Sequence, residues 1–452
     1  MYTRTLFAIL SLLFLGLAPA EQNYQLKTLT ELKFDKEIQD VAFDSYEQNG
    51  QIKYYPKIVV LREIDSIASK GPFINYELEV RILDRVGKTI WNLTNLKFWS
   101  NVYLSKYGKY FGVYTAILQD PSVNYEERRV TKSNYAIYDD KGKKRWELPL
   151  LLDYDYPTIS SYDGSFFLTF SGEGLTAGEA LDHFDKYGRQ NQIIPPHNFD
   201  AETYKHISSL EFSDDGKVVV APIWEGGEFF TKRLILTMFD FTGNLLWEYP
   251  IDETDYGDIK VSSKGSYIFA PCYTWTSTQE SLTEKTKERE EKTITRHQIE
   301  KPHTFVLNRL GELVIKTPTR SLATEGAFSD NERYLHFRDS KLGEPNYLVL
   351  IDLESKKEMF RKELPERPLQ AWVSDSGWVI EMCMAPQGNK FKLYFLNNEG
   401  SVITQCAVQL KKEDISNFYY EDLKILGWCG NYPVFGLVED KSKTIKILSL
   451  AK

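Results

Sequence analysis

The sequence predicts an all-β fold, a single β-propeller of about eight four-stranded blades, with seven blades as the alternative. Three observations predict it. Aromatic residues make up 14% of the 452 residues, with 28 Tyr against 5 Met. Side chains suited to half-buried pleated surfaces are therefore abundant, and common helix formers are less so. Two different turn signatures alternate along the chain, and the alternation recurs about every fifty residues, the mark of a repeat architecture.

The first signature is Asp/Asn-x-x-Gly between two β-rich runs, the second of which often carries Trp four residues past the Gly. It reads Leu83-Asp84-Arg85-Val86-Gly87 leading to Trp91, Tyr138-Asp139-Asp140-Lys141-Gly142 leading to Trp146, and Phe239-Asp240-Phe241-Thr242-Gly243 leading to Trp247. Phe184-Asp185-Lys186-Tyr187-Gly188 lacks the Trp, and weaker copies are Asn308 to Gly311, Asp352 with Ser355 in the Gly place, and Asn397 to Gly400. Asp or Asn bonds the backbone two residues on, and Gly takes φ > 0 without steric cost, so each copy predicts a tight hairpin. A Trp at the fixed offset is large enough to wedge between neighbouring sheets.

The second signature is an apolar residue, Ser, a polar pair and Gly. Its copies include Leu104-Ser105-Lys106-Tyr107-Gly108, Ile159-Ser160-Ser161-Tyr162-Asp163-Gly164, Phe212-Ser213-Asp214-Asp215-Gly216, Val261-Ser262-Ser263-Lys264-Gly265, Phe328-Ser329-Asp330-Asn331 and Val373-Ser374-Asp375-Ser376-Gly377. Two hairpins per period give a four-stranded blade. Six steps cover the 313 residues from Gly87 to Gly400, about 52 per blade, so residues 21–452 hold about eight. Ile38–Phe43 and Lys57–Leu61 complete the first blade. The last has three strands, Leu423–Trp428, Tyr432–Leu437 and Thr444–Leu450, and Tyr24–Leu32 is the expected fourth, closing the ring and removing two sheet edges.

Residues 1–20 differ in kind. Arg4 precedes an apolar run from Leu6 to Leu17 and the small-residue end Ala18-Pro19-Ala20, which predicts a signal peptide cleaved after Ala20 and a secreted or periplasmic protein. The apolar run of about twelve residues falls short of the roughly 20 that span a bilayer. No Cys follows it as in a lipoprotein, and the rest of the chain offers no spanning segment. Residues 21–452 form the expected propeller domain, with an exposed charged insertion at about 273–302.

Removing Arg4 changes the net charge from −9 to −10, a poor balance for nucleic-acid binding, which needs clustered Lys and Arg. Cys272, Cys383, Cys406 and Cys429 include no C-x-x-C; in an oxidising compartment one pair is able to close, but the connectivity is open. Histidines 183, 197, 206, 297, 303 and 336 never occur at zinc-ligand spacing. No G-x-S-x-G is present. No metal or cofactor is expected, and nothing reads as a catalytic centre.

The Asp-x-x-Gly-Lys-x-x-Trp phrase resembles the tryptophan-docking repeats of quinoprotein-like propellers, and the Ser-x-Asp-Gly phrase resembles the repeats of WD40-like periplasmic propellers of the TolB type. The resemblance covers residues 24–450 as a pattern. It implies the propeller fold and leaves function open, since this fold hosts enzymes, scaffolds and binders alike. Three of the Asp-x-x-Gly hairpins keep the Trp, and neither adjacent cysteines nor a quinone-binding set is present.

Both short hairpins of a blade fall on one rim, and the long connections, 62–76, 118–133, 191–206 and 273–302, on the other. Loops on one face of a rigid ring are the usual place for a site. The largest insertion has a capping-box form at Ser281-Leu282-Thr283-Glu284 and a Glu288–Lys292 pair at helical spacing, without an apolar stripe, so it reads as an exposed helix or a protruding hairpin. Candidate ligand-binding residues are Asp153, Asp155, Tyr156, Asp252, Asp255 and Tyr256 in acidic-aromatic clusters between blades, with Trp224 and Trp275 near strand ends. Carboxylates accept from sugar hydroxyls and aromatic faces stack on sugars; the bland alternative is turn formation and rim packing. The leading functional expectation is an exported module that binds a protein, peptide or glycan through its loop-rich rim. The runner-up is a carbohydrate-active enzyme with an acidic site in the axial funnel, and the third a structural subunit of a cell-envelope complex.

Overall fold

The computed structural model describes residues 25–64, 76–97, 100–118, 130–150, 158–171, 179–194, 205–207, 209–225, 233–253, 255–283, 291–319, 323–339, 346–364, 367–384, 390–409, 423–429, 432–439 and 443–451. Among these residues every regular element is a strand, and the strands form eight antiparallel sheets in chain order. Blades 1 to 7 span residues 37–97, 100–150, 158–194, 205–251, 255–318, 323–364 and 367–409. Blade 8 takes three strands, Leu423–Cys429, Tyr432–Glu439 and Thr444–Ala451, and its fourth is Gln25–Lys33, paired antiparallel with Thr444–Ala451 from Gln25↔Ala451 to Lys33↔Thr444. The expected closure of the last blade by the N-terminal strand is thus observed.

Eight apolar clusters, one at each interface between successive sheets, show that the circle is complete. The eighth joins blade 8 to blade 1, packing Val434, Val438, Ile445 and Ile447 on Val41, Phe43, Val59 and Leu61. The second and third strands of a blade supply most of each cluster, so they are buried on both faces and read as continuous apolar runs, such as Val218-Val219-Val220-Ala221.

The Asp-x-x-Gly hairpins behave as their residues require. Asp84 Oδ1 accepts the amides of Val86 and Lys88 at 3.0 and 2.8 Å, and Asp139 accepts those of Lys141 and Lys143 at 3.0 Å each. Gly142 sits at φ +77, the left-handed residue of a bulged hairpin turn. It lies flat on Trp91 of the preceding blade, where an added Cβ would come within 2.2 Å of the indole. Gly188 stands on Trp146 and Gly311 on Trp247 in the same way, and the Trp247 indole N–H donates to the Arg309 carbonyl at 3.0 Å. Where Trp is missing, Phe360 lies under Gly400 and Leu32 of the closing strand under Gly87. The Trp therefore does wedge between sheets.

Blade 6 departs from the pattern twice. Its outer hairpin is one residue longer than the Asp352…Ser355 spacing suggests, and Lys356 at φ 57 takes the left-handed position. In its inner hairpin Glu332 takes the Gly place at φ 62. The Glu332 carboxylate is buried and accepts from the Ser262 hydroxyl at 2.6 Å, the Ser266 hydroxyl at 2.5 Å and the Lys264 amide at 2.7 Å, all of blade 5. Burial alone would push its carboxyl up, but these donors together hold it below the usual range. Between blades 6 and 7 His336 is fully buried: Nδ1 donates to the Val349 carbonyl at 2.9 Å, and Nε2 meets Glu381 at 3.1 Å, a carboxylate that Arg338 Nε also reaches at 2.7 Å. His183 is likewise a core residue, its pKa pushed down by burial. Cys272, Cys383 and Cys406 are buried thiols, so no bridge links these three; the Cys429 side chain lies outside the described residues.

Trp91→Ala is expected to cost about 3 kcal/mol, and Gly142→Ala to destabilise through both its backbone and its clash with the indole. In the Trp91→Ala background the clash is gone, so urea midpoints should show the double variant losing less than the two single losses combined; strict additivity would refute the docking account. For Glu332 the folded pKa is depressed, so its stabilisation is present above the unfolded value of about 4.3 and is lost as pH falls through the folded one. Glu332→Gln should lose about 2 kcal/mol at pH 7, with the gap to wild type closing below about pH 4. A gap independent of pH would contradict the assignment.

Candidate functional site

The inner hairpins set the geometry around the axis. Ser105, Ser160, Ser213, Ser262, Ser329 and Ser374 are buried, and most of their hydroxyls accept a backbone amide four or five residues on, as Ser262 does from Tyr267 at 2.9 Å. With the Ser turned inward to cap the hairpin, the next residue falls at the mouth of the axial channel. Lys106, Asp214, Ser263, Asp330 and Asp375 occupy that register and line an open cavity of about 910 Å³, with Tyr54, Tyr107 and Trp428 as its aromatic walls. A narrower chamber of about 460 Å³ continues between the innermost strands, lined by Asp40, Phe43, Gln370, Trp372 and Lys424.

The mouth is acidic and stitched from blade to blade. Lys106 of blade 2 bridges to Asp214 of blade 4. The Ser161 hydroxyl donates to the Asp214 carbonyl at 2.7 Å, the Ser263 hydroxyl to the Asp330 carbonyl at 2.9 Å, and the Asn331 amide to Asp375 Oδ1 at 2.6 Å. Burial pushes the Asp330 carboxyl up, and the Asp375 and Asp214 carboxylates add to the effect. Burial, followed by Asp214 and Asp330, likewise raises the Tyr107 hydroxyl. In the inner chamber Lys424 Nζ donates to Asp40 Oδ1 and to the Val41 carbonyl, each at 3.1 Å, locking blade 8 to blade 1. Among the described residues no three of His, Cys, Asp and Glu are arranged to hold a metal ion. The mouth offers a negative field and hydrogen-bond acceptors.

On the loop-rich rim the structure joins some of the sequence-predicted residues and separates others. Trp224, at the end of Val218–Glu225, meets Tyr256 in a tilted ring contact with centroids 5.0 Å apart and planes at 35°. Asp255 precedes Tyr256 in a two-residue strand that pairs with Cys272 and Tyr273, and its carboxylate accepts the Tyr256 amide at 2.8 Å. Asp252 is exposed, whereas Glu253 beside it is buried. Glu253 Oε1 lies 3.2 Å from His303 Nδ1 and 3.6 Å from Lys316 Nζ. Glu253 sits between Asp252 and Asp255 in the chain; only the paired strands, which bring His303 and Lys316 to it, reveal its burial. Burial, with help from Glu253, raises the Cys272 thiol well above its usual value. Asp153, Asp155 and Tyr156 lie outside the described residues, as does the side chain of Trp275, whose backbone pairs with Ile299.

Among its described residues the insertion at 273–302 takes the second of the two expected forms, the hairpin. Strands Tyr267–Thr283 and Glu291–Asn308, of 17 and 18 residues, pair from Tyr267↔Asn308 out to Thr283↔Glu291. Ser281, Leu282 and Thr283 of the supposed capping box lie in the first strand. Seven Thr and two Ile over 274–299 favour extended backbone, and a single local capping signal does not outweigh a continuous ladder rooted in blade 5.

No family model matches the chain, and no curated protein matches it. Among solved structures it is similar to the Dos1 propeller (11% identity over 94% of this chain and 95% of that one, TM-score 0.48). It is also similar to Sqt1 of Saccharomyces cerevisiae (10% identity, 94% and 100% covered, TM-score 0.47) and TolB of Acinetobacter baumannii (12% identity, 78% and 80% covered, TM-score 0.31). No helix among the described residues is long and apolar enough to cross a membrane. The propeller assignment itself rests on the strand order and the eight interfaces.

Proposed function

We propose that this chain is an exported binding or scaffold module that engages a protein partner through its loop-rich rim at blades 4 and 5. The observation that carries the reading is the paired arm. Among the described residues its outer part, 274–283 against 291–300, pairs only with itself, and two-stranded ribbons are marginal alone in water. A contact surface accounts for the length of such an arm. The Trp224–Tyr256 contact stands on the same rim, and aromatic pairs of this kind are frequent anchors in interfaces. Residues 1–20 supply the export step, and a mature chain beginning at Glu21 is part of the same reading.

Replacing residues 276–300 by Asn-Gly is expected to leave the unfolding midpoint within a few degrees, because the described pairings of these two strands with the rest of blade 5 fall within 255–273 and 303–318. The same change should abolish recovery of a specific envelope protein by the tagged chain. Trp224→Ala should weaken that recovery by about tenfold, as expected of an interface anchor worth 1–2 kcal/mol. Identical partners with and without the arm would refute the proposal, as would a purified mature chain that retains its first twenty residues.

A further inference from the structure

The opposite rim carries a feature that neither the repeat pattern nor the proposed binding rim accounts for. In blade 1 the first two strands, Glu37–Gln48 and Gln51–Ile64, have 12 and 14 residues, whereas the first strands of the other blades have two to seven. They meet at Asn49-Gly50, with φ of 54 and 73, a type I′ turn. The third strand of the blade reaches only from Ile58 to Ile64 along the second. Residues 51–57 therefore have a partner strand on one side and an open edge on the other.

That edge borders a groove of about 360 Å³ between the standing hairpin, the closing strand Gln25–Lys33 and the Asp84–Gly87 turn. Its aliphatic lining is unusually exposed, Leu29 at 55%, Ile52 at 62% and Val86 at 81%. Among the described residues the charged side chains lining it are cationic, Lys53 and Arg85. The Arg85 guanidinium lies 4.8 Å from the Tyr46 ring centroid, and Tyr46 is in turn fixed edge-on to Tyr55 at 5.9 Å. Asp44, on the same hairpin, is held by Lys57 at 2.9 Å, a cation it shares with Asp140 at the same distance. Among the described residues neither Lys53 nor Arg85 has an acidic partner.

We infer that this groove is a docking site for an extended, acidic segment of a partner protein, which adds as a strand to residues 51–55 and sets a carboxylate against Arg85 and Lys53. Strand addition draws affinity from main-chain hydrogen bonds and specificity from alternate side chains. Here those side chains would be apolar ones meeting Leu29, Ile52 and Val86, with acidic residues between them. Pro56 has no amide to donate and ends the ladder, which limits the added segment to about five residues. A second copy of this chain is a poor occupant, because antiparallel pairing centred on residue 53 places two Lys53 side chains together, and like charges directly opposite destabilise a sheet. The site is independent of the arm on the other rim.

A display library of random twelve-residue peptides panned on the full mature chain tests this, with Arg85→Glu/Ile52→Glu as the counter-selection. Both substituted side chains are largely solvent-facing, and the unfolding midpoint of each variant confirms that it folds. The expected result is enrichment of peptides with alternating apolar and acidic residues. The best of these, dye-labelled, should bind wild type and lose at least tenfold in affinity against Arg85→Glu alone, while Arg85→Lys retains most of it. Replacing its central residue by Pro, which removes an amide from the ladder, should also abolish binding. Enrichment of basic or uncharged peptides, indifference to Arg85→Glu, or no enrichment over the counter-selected variant would each overturn the inference. So would Arg85-dependent sedimentation with phosphatidylglycerol vesicles without any such peptide, which would assign the groove to a membrane surface.

Discussion

The ring depends on one contact, the pairing of Gln25–Lys33 with Thr444–Ala451. Without that strand blade 8 would present an open edge, and Gly87 of blade 1 would lose Leu32, the side chain on which it stands. The closing strand thus does for the last interface what Trp91, Trp146 and Trp247 do for earlier ones. A flat hairpin glycine set on a large side chain of the preceding blade lets neighbouring sheets approach closely at their outer edge, while the buried second and third strands fill the wedge between them.

Closing the ring fixes the two faces. Each capping serine is turned into its own hairpin, so the residue after it is delivered to the axis whatever its chemistry. That register brings Lys106, Asp214, Asp330 and Asp375 together although they are far apart in the chain. It also explains why the hairpin rim is rigid and cross-linked, by contacts such as Glu332 to the blade 5 turn and Lys424 to Asp40. The loop-rich rim carries instead the blade 5 arm, whose described strands pair with each other from Thr274↔Glu300 to Thr283↔Glu291. The two surfaces are therefore suited to different tasks, a fixed charged mouth and a projecting ribbon.

Much of the ring was legible because its demands fall on backbone conformation. An Asp-x-x-Gly turn needs a side-chain acceptor and a left-handed residue, and few residue types supply either, so the hairpins and the strand that closes blade 8 appear in the sequence. The exceptions were hidden where an unexpected residue takes the left-handed role, as Glu332 and Lys356 do at φ 62 and 57. The standing hairpin of blade 1 has a usable signal in Asn49-Gly50, the strongest short-range hairpin dipeptide, between alternating residues, but it fits neither of the two repeated turn signatures. The arm was ambiguous because four residues of capping-box form compete with a ladder whose register only long-range pairing defines. Site residues were least legible. Trp224 and Tyr256 meet, but Glu253 and the acids of the mouth gain their environment from other blades, and no local pattern records that.

The closing pair offers the most direct test of the architecture. Lys27 and Ser449 face each other across it, whereas Lys27 and Lys446 are offset by several residues. Under mild oxidation Lys27→Cys/Ser449→Cys should form a bond between the chain ends and raise the unfolding midpoint, and Lys27→Cys/Lys446→Cys should not. Equal bridging in the two variants, or none in either, would contradict a ring closed by its own N-terminal strand.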